Sequence, residues 1–216
     1  MIIATGYILS YLYLFGVIFG VGLIKKIFRL PSEWSRKLVH IFISFTWIIL
    51  YRYLFGTVHF IVVPFSFVII NYFSYKYKIF KMYERDDGEN NHYGTIFYAA
   101  SLTIMAIIST IWKEAVIPYG IAVFCLSFGD GAAALVGPMI TKHNFRITGE
   151  KSLFGTIACV AFAFIGIIIL NAFVPLELAL WQILLLSVAT GFWELVGKGY
   201  DNFSIPGGIM ILSLLL

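Results

Sequence analysis

Long apolar runs and short polar breaks follow one another along the whole chain. Seven runs, at 2–24, 38–55, 57–74, 94–112, 115–140, 153–173 and 176–196, are close to the roughly 20 residues that a helix needs to cross a bilayer. An eighth apolar piece, Ile205 to Leu216, has 12 residues. It is short for a full crossing and fits a half-helix, a re-entrant segment or a strongly thinned span. The pattern predicts an all-α integral membrane protein of seven to eight transmembrane helices with short loops, a single polytopic domain over residues 1–216.

Composition sharpens this picture. The 216 residues are 61% hydrophobic and 12% charged, with a mean hydropathy of +0.93, whereas a soluble domain is about 45–50% apolar and about 25% charged. A water-soluble globule is excluded, and no length remains for a separate soluble domain. The two cysteines, Cys125 and Cys159, lie in apolar runs without a CxxC partner, which excludes a disulfide framework and a cysteine metal site and leaves them as small packing residues. Lys25, Lys26 and Arg29 follow the first run, and no basic residue precedes it. This is the reverse of a signal peptide, so the run is a retained span. Its Gly16 and Gly20 form a GxxxG, read first as close helix packing and second as a homodimer contact.

Charge sets an expected orientation. Thirteen of the fifteen Lys and Arg residues fall in the first, third, fifth and seventh loops; only Arg52 and Lys113 lie in the others. By the positive-inside rule the odd loops are cytoplasmic and the N-terminus is outside. The net charge of +4 reflects topology, and without any DNA- or RNA-binding motif it gives no reason to expect a nucleic-acid partner.

Against this background the intramembrane acids stand out. Asp130, in LSFGDGAAALVG, is costly in a bilayer unless it meets a cation, a partner or a cavity. The fifth run has 26 residues, about 39 Å of helix against a hydrocarbon core of roughly 30 Å. A break at Gly129-Asp130-Gly131 would resolve the excess and place the carboxylate at the floor of a cytoplasmic cavity. Gly129, Ala133 and Gly137 recur every four positions, which allows another helix to approach closely.

The fifth loop runs through Gly149-Glu150-Lys151-Ser152 to Gly155. Ser152 is positioned to cap the sixth run, whose unpaired amides would then join Lys151 in binding phosphate. The likeness to a P-loop is superficial, since Glu150 separates glycine from lysine and no strand precedes it. At the start of the second helix Arg36, Lys37 and His40 share one helical face. Glu194 and Lys198 are spaced as an i, i+4 ion pair, and Asp201-Asn202 follow directly.

All these groups fall on the face that the charge count makes cytoplasmic. Carboxylates, cations and a helix N-terminus together describe a site for a Mg²⁺-bound polyphosphate. A transmembrane ion path is disfavoured, because the outer halves of the spans are almost wholly apolar.

The segments RKLVH from Arg36, GTIFYA from Gly94, FGDGAAALVG, KSLFGT and DNFSIP resemble, in that order, segments of the dolichol kinase and phytol kinase family of membrane lipid kinases. CTP-dependent diacylglycerol kinases and, more distantly, phosphatidate cytidylyltransferases are also similar. The resemblance covers Arg36 to Pro206. It implies transfer of phosphate from CTP to the hydroxyl of a membrane polyprenol, phytol-like alcohol or diacylglycerol. Carried over by position, it implies Asp130, Asp201 and Lys151 as catalytic residues. Arg36, Lys37, His40, Ser152, Gly155 and Asn202 would contact nucleotide or phosphate, and Asp130, Asp201 and Glu194 would hold Mg²⁺. The chain departs from the family at Phe154, where an acid is frequent, and at Ser44, where a glycine is. The long C-terminal signature of the cytidylyltransferases is absent, which weighs against CDP-lipid synthesis. A non-catalytic lipid-binding protein is the remaining alternative.

Overall fold

A computed structural model describes residues 1–79, 94–140, 145–148, 151–197 and 199–216. Helices dominate them, as the apolar runs predict. Five are long and apolar enough to cross a membrane: Ile2–Phe28, His59–Tyr77, Gly94–Ile111, Lys113–Met139 and Leu153–Phe173. Leu180–Val196 is apolar but shorter. The chain divides into two compact units, Met1–Val116 and Ile117–Leu216.

In the first unit, α1 (Ile2–Phe28) packs on α2 (Ser32–Ser44), α3 (Thr46–Tyr53) and α4 (His59–Tyr77), and α4 pairs with α5 (Gly94–Ile111). Its core includes Leu14, Trp47, Leu50, Leu54, Phe60 and Val63. The run expected at 38–55 is not one rod, because the helix is interrupted at Phe45. Ser44 Oγ donates to the Ile41 carbonyl at 2.6 Å, and the Phe45 amide donates to Phe42 O at 3.2 Å. Such side-chain and i−3 bonding bends a helix. Gly16 and Gly20 are exposed, and a Cβ at either would meet nothing within 4 Å. The close packing expected of them is therefore not made among the described residues.

The second unit is built around α8 (Leu153–Phe173), which packs on α7 (Gly131–Met139), on α9 (Leu180–Val196) and on the turn Cys125–Asp130 that joins α6 (Val116–Phe124) to α7. The break expected at Gly129-Asp130-Gly131 takes another form. The backbone stays helical at Asp130 (φ −64°, ψ −33°), and Cys125–Asp130 is wound as a π-helix. Packing explains why the helix is not opened: a Cβ on Gly129 would lie 3.2 Å from the Cys159 carbonyl and 3.0 Å from the Thr190 methyl. The glycine thus seats the turn between α8 and α9. π turns are rare and occur mostly at functional sites.

The fifth loop holds a feature that the sequence did not announce. Strand β1 (Arg146–Thr148) pairs antiparallel with β2 (Lys151–Ser152), and the Leu153 amide donates to Phe145 O at 2.8 Å. This ribbon fixes Lys151 and Ser152 at the head of α8. The last helix, α10 (Asp201–Leu214), packs on α9 and on the π turn, and Gly208 leaves room for the Trp193 indole.

Candidate active site

The site in the second unit is assembled from the ends of α8, α9 and α10 and from the π turn. Ser152 caps α8 as expected, accepting from the Gly155 amide at 3.2 Å. Gly155 has no side chain because α7 passes close by: an added Cβ would lie 3.3 Å from Ala133 O and 3.5 Å from Gly137 Cα. The stripe Gly129, Ala133 and Gly137 does admit a neighbouring helix, and that helix is α8. The expectation of several open amides at the head of α8 needs correction, because the Leu153 amide is bonded to Phe145 O and the Gly155 amide to Ser152 Oγ.

Lys151 is the hub. Its Nζ donates to Glu194 Oε1 at 2.8 Å and to Asp201 Oδ2 at 3.0 Å. Glu194, on the last turn of α9, is 3% exposed, and its Oε2 accepts from Thr156 Oγ1 at 3.2 Å. Thr156 lies equally close to Ser152 O. The Glu194–Lys198 pair read from spacing involves Lys198, which lies outside the described residues, as do Gly149 and Glu150.

Burial acts to lower the Lys151 ammonium, yet Asp201 and Glu194 together outweigh it and hold its pKa above the ordinary lysine value. Burial raises the Asp201 carboxyl above the usual carboxylate range; Lys151 pulls it down, while Asp130 and Glu194 push it up. Asp130, 8% exposed in the π turn, is thus near enough for its charge to be felt at Asp201. Asn202 is half-buried beside Asp201 on the first turn of α10.

Two carboxylates therefore share the Lys151 ammonium and a third, Asp130, acts on Asp201, an excess of negative charge that would repel a polyphosphate unless a cation came with it. Among the described residues no three His, Cys, Asp or Glu side chains are gathered closely enough to cage a metal ion. That is compatible with Mg²⁺, which needs only one or two carboxylates when phosphates and water complete its shell. Glu194 Oε1 already accepts from Lys151, and Oε2 lies within reach of the Thr156 hydroxyl, which makes Glu194 first of all a holder of Lys151.

In the first unit, Arg36 forms a two-bonded ion pair with Glu33, at 2.6 and 3.1 Å. Lys37 and His40 are each 4% exposed. The His40 imidazole stacks on the Tyr98 ring, centroids 4.2 Å apart at 17°, and an Arg36 amino group lies over Gly94. RKLVH thus meets GTIFYA in space. In the second unit FGDGAAALVG meets KSLFGT at Gly137 and Gly155, and KSLFGT meets DNFSIP at Lys151 and Asp201. Five segments scattered in sequence become two contact clusters.

Among curated proteins, the phytol kinase of Synechocystis sp. is 27% identical to the chain in an alignment covering 98% of the chain and 90% of that enzyme. The likeness to that enzyme is distant and runs almost the whole length of both chains. No protein-family model and no solved structure matches it. Tyr98, Thr156 and Ser204 all lie inside segments that carry the family likeness, yet residue type did not single them out. Hydroxyl side chains in membrane helices usually bond their own backbone, so only contacts between helices reveal their partners.

Proposed function

We propose that the protein is a lipid-alcohol kinase that transfers the terminal phosphate of CTP to the hydroxyl of an isoprenoid alcohol or diacylglycerol. The observation that carries this reading is Lys151, set at the head of α8 and held by Glu194 and Asp201, within a chain that aligns almost end to end with a phytol kinase. In the proposed reaction the alcohol oxygen bonds to the terminal phosphorus, the bond from that phosphorus to the leaving CDP oxygen breaks, and the hydroxyl proton leaves through a carboxylate to water. Phosphoryl transfer asks the protein mainly for positioning and charge neutralisation. Lys151 supplies the cation, Ser152 fixes it at the helix start, and Glu194 with Thr156 holds its direction. Bound Mg²⁺ would neutralise the phosphate charge, with Asp130 as the assigned carboxylate; Asp201 and Glu194 complete the acidic set that the family likeness implies. Arg36, Lys37, His40, Gly155 and Asn202 are proposed nucleotide- or phosphate-binding residues.

The positive-inside rule supports a cytoplasmic position for Lys151 and Asp201, an outside N-terminus and seven to eight crossings. The test is to incubate purified protein with labelled CTP or ATP, Mg²⁺ and a panel of phytol, polyprenols and diacylglycerol, then identify both products. A phosphorylated lipid with CDP, abolished by a chelator, is expected. Pyrophosphate with a CDP-lipid would point to a cytidylyltransferase, and no nucleotide-dependent product would point to a lipid-binding protein.

A further inference from the structure

The β1–β2 ribbon turns large apolar side chains outward. Phe145 is 73% exposed and Ile147 46%, although both are residue types that folding in water tends to bury. The strand pairing explains Ile147. Arg146 pairs with Ser152 and Thr148 with Lys151, so Ile147 is the extra residue of a bulge, a device that re-aims a side chain. Leu153, set beside Phe145 by its amide bond to Phe145 O, is exposed as well, and so is Met139 at the end of α7.

The place of this patch says what covers it. The ribbon joins the end of Lys113–Met139 to the start of α8, both long and apolar enough to cross a membrane, so it lies where the two helices leave the hydrocarbon. It also prolongs an outward stripe. On α8 the exposed residues Leu153, Ile157, Ala161, Ile165 and Ile168 recur at three- and four-residue spacing, which is one face of the helix, while Gly155, Ala158 and Cys159 on the other side are buried. In a spanning helix such an outward apolar face meets acyl chains, and Phe145 carries that face past the helix end. Arg146, between Phe145 and Ile147, is exposed too. A long basic side chain at the edge of the hydrocarbon lays its stem on apolar surface and its charge among headgroups.

We propose that the β1–β2 ribbon is an interfacial lipid-binding element: Phe145, Ile147 and Leu153 sit among the upper acyl carbons of a phospholipid leaflet, and Arg146 meets its phosphate groups. Apolar and aromatic side chains with a flanking cation are the combination that this boundary favours. The inference does not depend on the kinase reading. Since β2 carries Lys151, the same seat ties the strand at the head of α8 to the membrane surface.

The test uses the full chain in nanodiscs of phosphatidylcholine with phosphatidylglycerol. A nitroxide on Ile147→Cys is read by its collisions with molecular oxygen, which concentrates in acyl chains, and with a neutral nickel chelate, which stays in water. Cys125 and Cys159 are buried, and wild-type protein put through the same labelling gives the background. Oxygen collisions should dominate at position 147, as they should more strongly at Ile165→Cys near the middle of α8. Dominant nickel collisions at 147 would place the ribbon in water, and few collisions with either reagent would place protein, such as a second copy of the chain, over the patch; both results overturn the proposal. Phe145→Cys gives the same reading should the Ile147 variant fail to fold. Arg146→Glu, added to the labelled Ile147 variant, should raise nickel collisions about twofold or more, and an unchanged value would overturn the phosphate contact.

Discussion

The Lys151 ammonium lies 2.8 Å from Glu194 Oε1 and so ties the head of α8 to the C-terminal end of α9. Because Glu194 is nearly fully buried, removing its partner leaves an uncompensated carboxylate, which costs about 3–5 kcal/mol. Lys151→Met should therefore lower the thermal transition markedly as well as abolish transfer. The double change Lys151→Met with Glu194→Gln should recover much of the stability but none of the activity. A double-mutant cycle read by thermal unfolding in detergent checks this; additive effects would show that the two groups are not coupled.

Asp130→Asn keeps the shape of the side chain in the π turn and removes its charge. Transfer should fall by at least about a hundredfold, with membrane insertion and elution behaviour unchanged. Full activity in the Asn variant would remove Asp130 from the site.

The contact between Gly137 and Gly155 leaves no room for a side chain. Gly155→Val should destabilise the protein by about 1–3 kcal/mol through overpacking between α7 and α8. Gly16→Val, in open space on α1, should be nearly neutral. Parallel thermal melts of the two variants decide the point.

The carboxylates around Lys151 stabilise its charged form, so folding stability from this group is complete at neutral pH and is lost only as pH rises through its raised pKa. The same shift should slow amine acylation at Lys151 at mildly alkaline pH relative to Lys25. Asp201→Asn should speed it. Mass-spectrometric footprinting of each lysine measures both rates.

His40 rests on Tyr98. Tyr98→Phe keeps the stacked ring and should leave stability within about 0.5 kcal/mol, whereas Tyr98→Leu should cost about 1 kcal/mol. Thermal unfolding of both variants separates ring stacking from the hydroxyl.

The helical membrane character was legible because twenty-residue apolar runs have few other physical outcomes, and the Ser152 cap was legible because it is a local rule. The break at Phe45 was hidden, since it depends on Ser44 turning back onto its own backbone. The β1–β2 ribbon was hidden as well: its strands are two and three residues long, below the length at which periodicity carries information. For Glu194 the i, i+4 spacing to Lys198 pointed within α9, while the described partner, Lys151, comes from another element. Local spacing ranks neighbours on one helix and is blind to a cation delivered by a loop.

The π winding at Cys125–Asp130 holds one more residue per turn than the α-helix on either side. A single-codon deletion there would relax it to α and leave α6 nearly in phase with α7, because the wide turn absorbs about one residue's worth of rotation. The packed faces of α6 and α7 would keep their partners, while Asp130 would lose the wide turn that carries it. The segment is thus a place where a one-residue change probes the wide turn itself, with Lys151, Glu194 and Asp201 left as they are.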